Sequence, residues 1–326
     1  MTVIACIVGI VMVNITHPGV GFTLDNMQAF DTSKVKTPSF VNFLFDMVPV
    51  NIVDSMAKNQ IMQMIFFTVL VGVALVSLGE KVAGVTKIFD QCASIIYKML
   101  DIVMLYSPIG VLALMANTTA VFGPKLFGVL AKFVFTDWVG CLLIWFFFSG
   151  IVWLYTKVNY LEMCKSMIPI WVNTIATNSS AGTIPITLNV TTERLKVPMS
   201  IASFSIPLGA TINLTGAALY KTILAFFVAE IYGLQLTIDQ ILMVIIISTI
   251  MSIAAPGIPG GGIVTGAIFL NLLGLPMDLM GPIAGMYRLI DMSHTTVNVS
   301  GDVLGTMLVA KNENIWTGED FNKTLV

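Results

Sequence analysis

Long stretches without a charged side chain dominate the chain. Asn59 to Gly79, Ile102 to Pro124, Trp138 to Thr156, and Val197 to Tyr220 extended by Thr222 to Ala229 each approach the roughly 20 apolar residues that cross a bilayer. The pattern predicts spanning helices there. Thr2 to Val13 is equally apolar but covers about half a span, and no basic segment precedes it as in a secretory signal. It reads as a chain that begins in mid-helix, N-terminally incomplete.

Two further uncharged segments are interrupted. Gln240 to Met277 is broken near its middle by Pro256, Gly257, Pro259 and Gly260 to Gly262, and Ser166 to Thr192 by the polar run Thr177 to Thr183, closed by Pro185. Proline lacks an amide donor and glycine bares the backbone, so such breaks survive at membrane depth only where protein or a wet cavity surrounds them. Re-entrant helical hairpins satisfy this, and two of them suggest an inverted-repeat transporter with its site at the midplane. The plainer alternative is a pair of kinked helices.

Composition agrees with a lipid solvent: 56% of residues are hydrophobic, 10% are charged, and the mean hydropathy is +0.91. An ordinary soluble domain has about 25% charged residues. A formal net charge of -2 is too balanced and sparse for a nucleic-acid surface. Cys6, Cys92, Cys141 and Cys164 are far apart, with no zinc spacing, and read as core or lipid-facing residues. Positive charge orients the chain. With Lys157, Lys165, Arg194, Lys196, Lys311 and Lys323 cytoplasmic, Lys81, Lys87 and Lys98 share that side, whereas Lys34, Lys36, Lys58, Lys125 and Lys132 fall outside. The first hairpin then enters from the cytoplasm and the second from outside.

The last helix, about Pro282 to Ala310, carries Arg288, Asp291, His294, Thr295, Asn298 and Asp302. At roughly 100° per residue all six share one face about 120° wide. Ionisable groups at membrane depth mark ion or substrate paths, although helix-to-helix hydrogen bonding is the simpler use of such a stripe. Enzymatic readings fare poorly. Asp291 and Asp302 lie about 16 Å apart along one helix, whereas a proton-sharing aspartate dyad needs about 3 Å. Neither His17 nor His294 has a nucleophile motif nearby. A second polar island, Gly209 to Gly216, joins small residues to two glycines, which loosens a helix and frees carbonyls for a hard cation; a packing seam is the alternative.

These features together resemble the dicarboxylate/amino acid:cation symporter family, which includes the glutamate transporters. Four motifs carry the likeness: Asn178-Ser-Ser-Ala-Gly-Thr-Ile-Pro185, Pro207-Leu-Gly-Ala-Thr-Ile-Asn-Leu-Thr-Gly216, Gly257-Ile-Pro-Gly-Gly-Gly262, and Asp291-Met-Ser-His-Thr-Thr-Val-Asn-Val-Ser-Gly-Asp302. Asn59-Gln-Ile-Met-Gln-Met-Ile-Phe-Phe67 and Tyr106-Ser-Pro-Ile-Gly-Val-Leu112 also fit. The resemblance implies an all-α membrane protein, a multi-helix transporter with two re-entrant hairpins, multi-pass in the cell membrane and assembled as a homotrimer. It divides the chain into a partial transport-domain helix (1–24), a scaffold region (25–122), a transport-domain helix (123–157), the first hairpin (158–196), an unwound helix (197–233), the second hairpin (234–277), the last helix (278–313) and a tail (314–326). The family's first two helices and the start of its third are missing.

The same resemblance implies residue roles. Asp291 would hold a substrate amino group, Ser179, Ser180 and backbone near Gly260 its carboxylate, and Thr295 and Asn298 would complete the pocket. Gly209, Asn213, Asn298 and Asp302 match one sodium site. Carbonyls of Thr211, Ser252, Ile253 and Ala255 match a second, closing with the outer gate. Three departures shape the expectation. His294 stands where acidic-substrate members carry arginine, and histidine is mostly uncharged at neutral pH. Ala217 replaces a threonine of the same contact, and Thr215 an aspartate of a further sodium site. Sodium-coupled symport of small or neutral amino acids by alternating access is therefore expected, with acidic amino acids or dicarboxylates as the alternative should Arg288 supply the charge. A non-transporting ligand-binding protein or fragment is the rival reading, and proton coupling is the alternative to sodium.

Overall fold

The computed structural model describes residues 1–22, 45–58, 60–123, 125–253, 255 and 257–323, and every regular element among them is helical. Lys34, Lys36, Asn59, Pro124 and Pro256 lie outside the described residues. Three stretches, Met62–Ile96, Lys125–Thr156 and Met199–Ile231, are long and apolar enough to span a membrane.

The chain forms two units, residues 36–116 and residues 1–35 with 117–326. After α1 (Thr2–Thr16), which belongs to the second unit, the first unit holds α2 (Ile52–Ala57), α3 (Ile61–Leu78) and α4 (Ala83–Met104), and the start of α5 (Ser107–Phe122). Asn51 caps α2 by accepting from the amides of Val53 and Asp54. The uncharged run from Ile102 to Pro124 is not one helix. A turn at Leu105 and Tyr106 interrupts the α-helix, and the next one starts at Ser107, with Pro108 in the opening turn, where its missing amide costs nothing.

The second unit contains α1 (Thr2–Thr16), α6 (Lys125–Thr156), α7 (Tyr160–Thr177), α8 (Ser180–Asn189), α9 (Met199–Ile212), α10 (Thr215–Ile231), α11 (Ile238–Ile253), α12 (Gly261–Leu272), α13 (Met280–Asn312) and α14 (Gly318–Lys323). Its centre is α10, buried along almost its whole length. Small residues let neighbours approach it: Gly9 of α1 lies against Thr222, and Gly140 of α6 against Leu219. The run from Val197 to Ala229 is two helices, because the chain turns out of helical geometry at Asn213 and Leu214.

Both interrupted segments are helix–break–helix units. α7 ends on Asn178 in the left-handed conformation (φ 52°), and Ser179 starts α8 by accepting from the Gly182 amide at 3.0 Å. The break thus shrinks to two residues within the polar run. α11 and α12 are separated by a longer stretch ending at Gly260, also left-handed (φ 76°), a conformation that glycine adopts without a Cβ penalty.

Candidate functional site

The long helix α13 carries the polar stripe into the interior of the second unit. Asp291, His294, Thr295, Asn298 and Asp302 are buried, whereas Arg288 is exposed. Helical spacing predicts a shared face but not depth, and Arg288 sits where that face emerges. Its guanidinium donates to the Ala176 carbonyl at 3.4 Å, and its own carbonyl accepts from the Asn178 side chain at 2.9 Å. It braces the first break and does not line the cavity.

That cavity, about 30 Å³, is lined by Ser180, Ala255, Asp291, His294, Thr295 and Asn298 among others. Both breaks close on it. The Gly260 amide donates to Asp291 Oδ2 at 3.1 Å, and the Tyr287 hydroxyl to Oδ1 at 3.5 Å. The tips also meet each other, since the Ala181 amide and the Ser179 hydroxyl both donate to the Gly257 carbonyl at 3.3 Å. Ser179 therefore spends its side chain on the cap and the opposite tip, whereas Ser180 reaches the cavity wall. A space of water size admits an amino acid only if one wall moves.

One helical turn deeper, the bend at Asn213 faces Asn298 and Asp302. The Asn213 side chain donates to Asp302 Oδ1 at 2.8 Å and to the Asn298 carbonyl at 3.3 Å, and the Gly216 amide donates to Asn298 Oδ1 at 2.7 Å. Gly209 is close enough that a Cβ there would overlap the Asp302 carboxylate. Among the described residues, Asp302 Oδ2 is buried without a hydrogen-bond partner. Asp302 Oδ1 and Asn298 Oδ1 are held by N–H donors, so Asp302 Oδ2 is the anionic oxygen this cluster leaves for a hard alkali cation. The other sodium expectation rests on the backbone carbonyls of Thr211, Ser252, Ile253 and Ala255, and the side chains of three of these residues are engaged elsewhere. Ala255 packs with Leu214 and Ala217, the Ser252 hydroxyl accepts from Lys221 at 3.4 Å, and the Thr211 hydroxyl turns back to its own helix at Leu208.

Three groups escape a reading by motif. Asp137 of α6 bonds His294 Nε2 at 2.8 Å, and the Ser293 hydroxyl donates to its other oxygen at 3.0 Å. Cys141 also lies near this pair, so one cysteine does have a histidine neighbour in space. Both Asp137 oxygens are engaged, which makes the cluster a hydrogen-bond network before a metal centre. Lys221 is fully buried on α10, its ammonium held by the Ala217 carbonyl at 3.3 Å and by Ser252. Tyr287 reaches Asp291 from one turn away. The signal for Asp137 and Lys221 was a charge at the edge or in the middle of an apolar run.

Buried carboxylates beneath two broken helical segments fit a membrane transporter. The sequence profile of the Sodium:dicarboxylate symporter family matches residues 1–312, and the chain belongs to that family. It is 31% identical over 318 residues to the proton/glutamate-aspartate symporter of Bacillus subtilis (strain 168), covering 96% of this chain and 77% of the relative. It is 29% identical over 326 residues to a proton/sodium-glutamate symport protein of Bacillus caldotenax (98% and 76%) and 30% identical over 323 residues to a C4-dicarboxylate transport protein of Bacillus subtilis (96% and 76%). The chain is thus a multi-pass symporter of the cell membrane.

Proposed function

We propose that the chain couples inward sodium movement to uptake of small or neutral amino acids by alternating access, as one subunit of a homotrimer in the lipid bilayer. The contact between the Gly260 amide and Asp291, which ties the second break to the stripe, carries this reading. Asp291 holds the substrate ammonium, a natural partner for a buried carboxylate. Ser180, backbone at the two tips, Thr295 and Asn298 hold the rest of the zwitterion. Gly209, Asn213, Asn298 and Asp302 hold one sodium ion, and carbonyls of Thr211, Ser252, Ile253 and Ala255 a second when the outer tip closes. Residues 1–24 and 123–313 form the moving part and 25–122 the scaffold, boundaries near those at which the chain divides into two units. Sodium and substrate are linked because the second break closes favourably only with both in place.

The relatives' names support cation-coupled symport of acidic amino acids or dicarboxylates as the second reading. Those names are a proton/glutamate-aspartate symporter and a C4-dicarboxylate transport protein. Uptake into proteoliposomes of alanine, serine, aspartate and succinate, with sodium present or replaced by choline, separates the readings. Asp302→Asn is expected to weaken sodium-driven uptake on the order of 100-fold, because stripping one charge from a buried pair costs about 3 kcal/mol or more. Uptake that keeps its sodium dependence after this change refutes the cation assignment.

A further inference from the structure

His294 lines the cavity beside Asp291, Thr295 and Asn298. Its ring is unusually constrained. Nε2 lies 2.8 Å from Asp137 Oδ1, and the two side chains are 2% and 0% exposed. An ionised carboxylate only accepts, so the ring proton resides on Nε2. Asp137 is itself held by the Ser293 hydroxyl, and α6 is fixed to α13 beside it by the Trp138 indole donating to the Leu289 carbonyl at 2.9 Å. The rings of Tyr220 and Tyr287, with centroids 5.4 and 6.3 Å from the imidazole, leave it little freedom to flip.

Nδ1 is the remaining ring nitrogen, and it is buried without a hydrogen-bond partner among the described residues. His294 lines the cavity that also holds Asp291 and Asn298. A second proton there would bury a charged N–H with nothing to accept it, which costs more than a bare lone pair. The geometry points to Asp137 as a positioning residue that fixes the His294 tautomer, so that Nδ1 offers a lone pair to the substrate. The site then selects amino acids whose side chains donate a hydrogen bond, a hydroxyl or a carboxamide, over carboxylate-bearing ones. The lone pair and the Asp137 charge behind it both repel a second carboxylate. This deepens, and rests on, the proposed amino-acid symport.

The chain has 2 histidines, so in protein labelled with ring-¹⁵N histidine and carrying His17→Gln, a single imidazole reports. In the reconstituted full chain at neutral pH, a protonated Nε2 and a bare Nδ1 are expected; a protonated Nδ1 overturns the proposal. Binding in sodium should favour serine over alanine about tenfold, the worth of one buried neutral hydrogen bond, and asparagine over aspartate by more. His294→Phe should bring the serine-to-alanine ratio near one. Asp137→Leu should let the ring proton appear on Nδ1 and lower the same ratio, and the wild-type spectrum still decides the tautomer where that variant does not fold. Equal serine and alanine affinities in the wild type overturn the substrate half. Binding of no amino acid at all, with Nδ1 bare, refutes the amino-acid reading of the protein and leaves the tautomer standing.

Discussion

The two helix breaks reach the same cavity but are held differently. The first is supported by its own side chains: Ser179 caps α8, the Thr183 hydroxyl returns to the Ser179 carbonyl at 2.7 Å, and Asn178 anchors the turn to α13 through the Arg288 carbonyl. The second has no side-chain cap on α12. It is held from outside instead, by the Gly260 amide on Asp291 and by the donors of the first break on the Gly257 carbonyl, and it ends on a left-handed glycine. In the proposed cycle the first break serves as a wall and the second as a gate. There, a substrate ammonium arriving at Asp291 competes for the oxygen that now holds the gate down, so substrate binding and gate position are coupled at one carboxylate.

Gly262→Ala tests the gate most severely. A Cβ at this position would overlap the Tyr287 hydroxyl, which itself reaches Asp291, and Tyr287 is wedged against Tyr220 at a centroid distance of 5.4 Å. Overpacking of this kind costs about 1–3 kcal/mol, and in the proposed cycle it opposes the position in which Gly262 meets Tyr287. Sodium-driven uptake should drop about tenfold or more, with a smaller change in thermal stability of the detergent-solubilised protein. Equal losses of stability and uptake would make the second break an ordinary structural turn.

Gly260→Ala should act in the same direction but less strongly. The left-handed conformation costs a residue with a Cβ about 1–2 kcal/mol, while the amide that donates to Asp291 is retained. Substrate affinity should fall about fivefold to tenfold with the maximum rate of uptake less affected, as measured by concentration dependence in proteoliposomes. The matching change in the first break is absent by construction, since its left-handed residue, Asn178, already carries a Cβ and uses its side chain as an anchor.

How much of this was legible in the chain depends on whether a feature is local. Pro259 and the glycines around it announce a helix break, because the missing amide and the missing Cβ act on their own backbone. The polar face of α13 follows from angular spacing alone. Angular spacing says nothing of depth, and so Arg288 joins the predicted stripe although it is exposed and bonds the backbone at Ala176. The partner of His294 is Asp137, 157 positions away, and no periodicity relates them. Lys221 stands between two apolar runs, where reading the runs hides the charge. Ser179 was expected at the substrate through the resemblance, and its capping bond to Gly182 appears only once the start of α8 is known to fall at Ser180.

Ser179→Ala gives the smallest expected effect and the sharpest test of the contrast. Losing an N-cap hydroxyl costs about 1 kcal/mol, and here the bond to the Gly257 carbonyl at 3.3 Å goes with it. The Ala181 amide still donates to the same carbonyl, Thr183 still returns to the backbone at residue 179, and Asn178 still anchors the turn. A wall with three remaining supports should stay in place. Thermal stability should fall modestly, while uptake changes less than about threefold, since half of that energy would reach the barrier even if the tip were partly mobile. A loss of uptake as large as that from Gly262→Ala, at unchanged stability, would show that the first break moves during transport and would reverse the assignment of wall and gate.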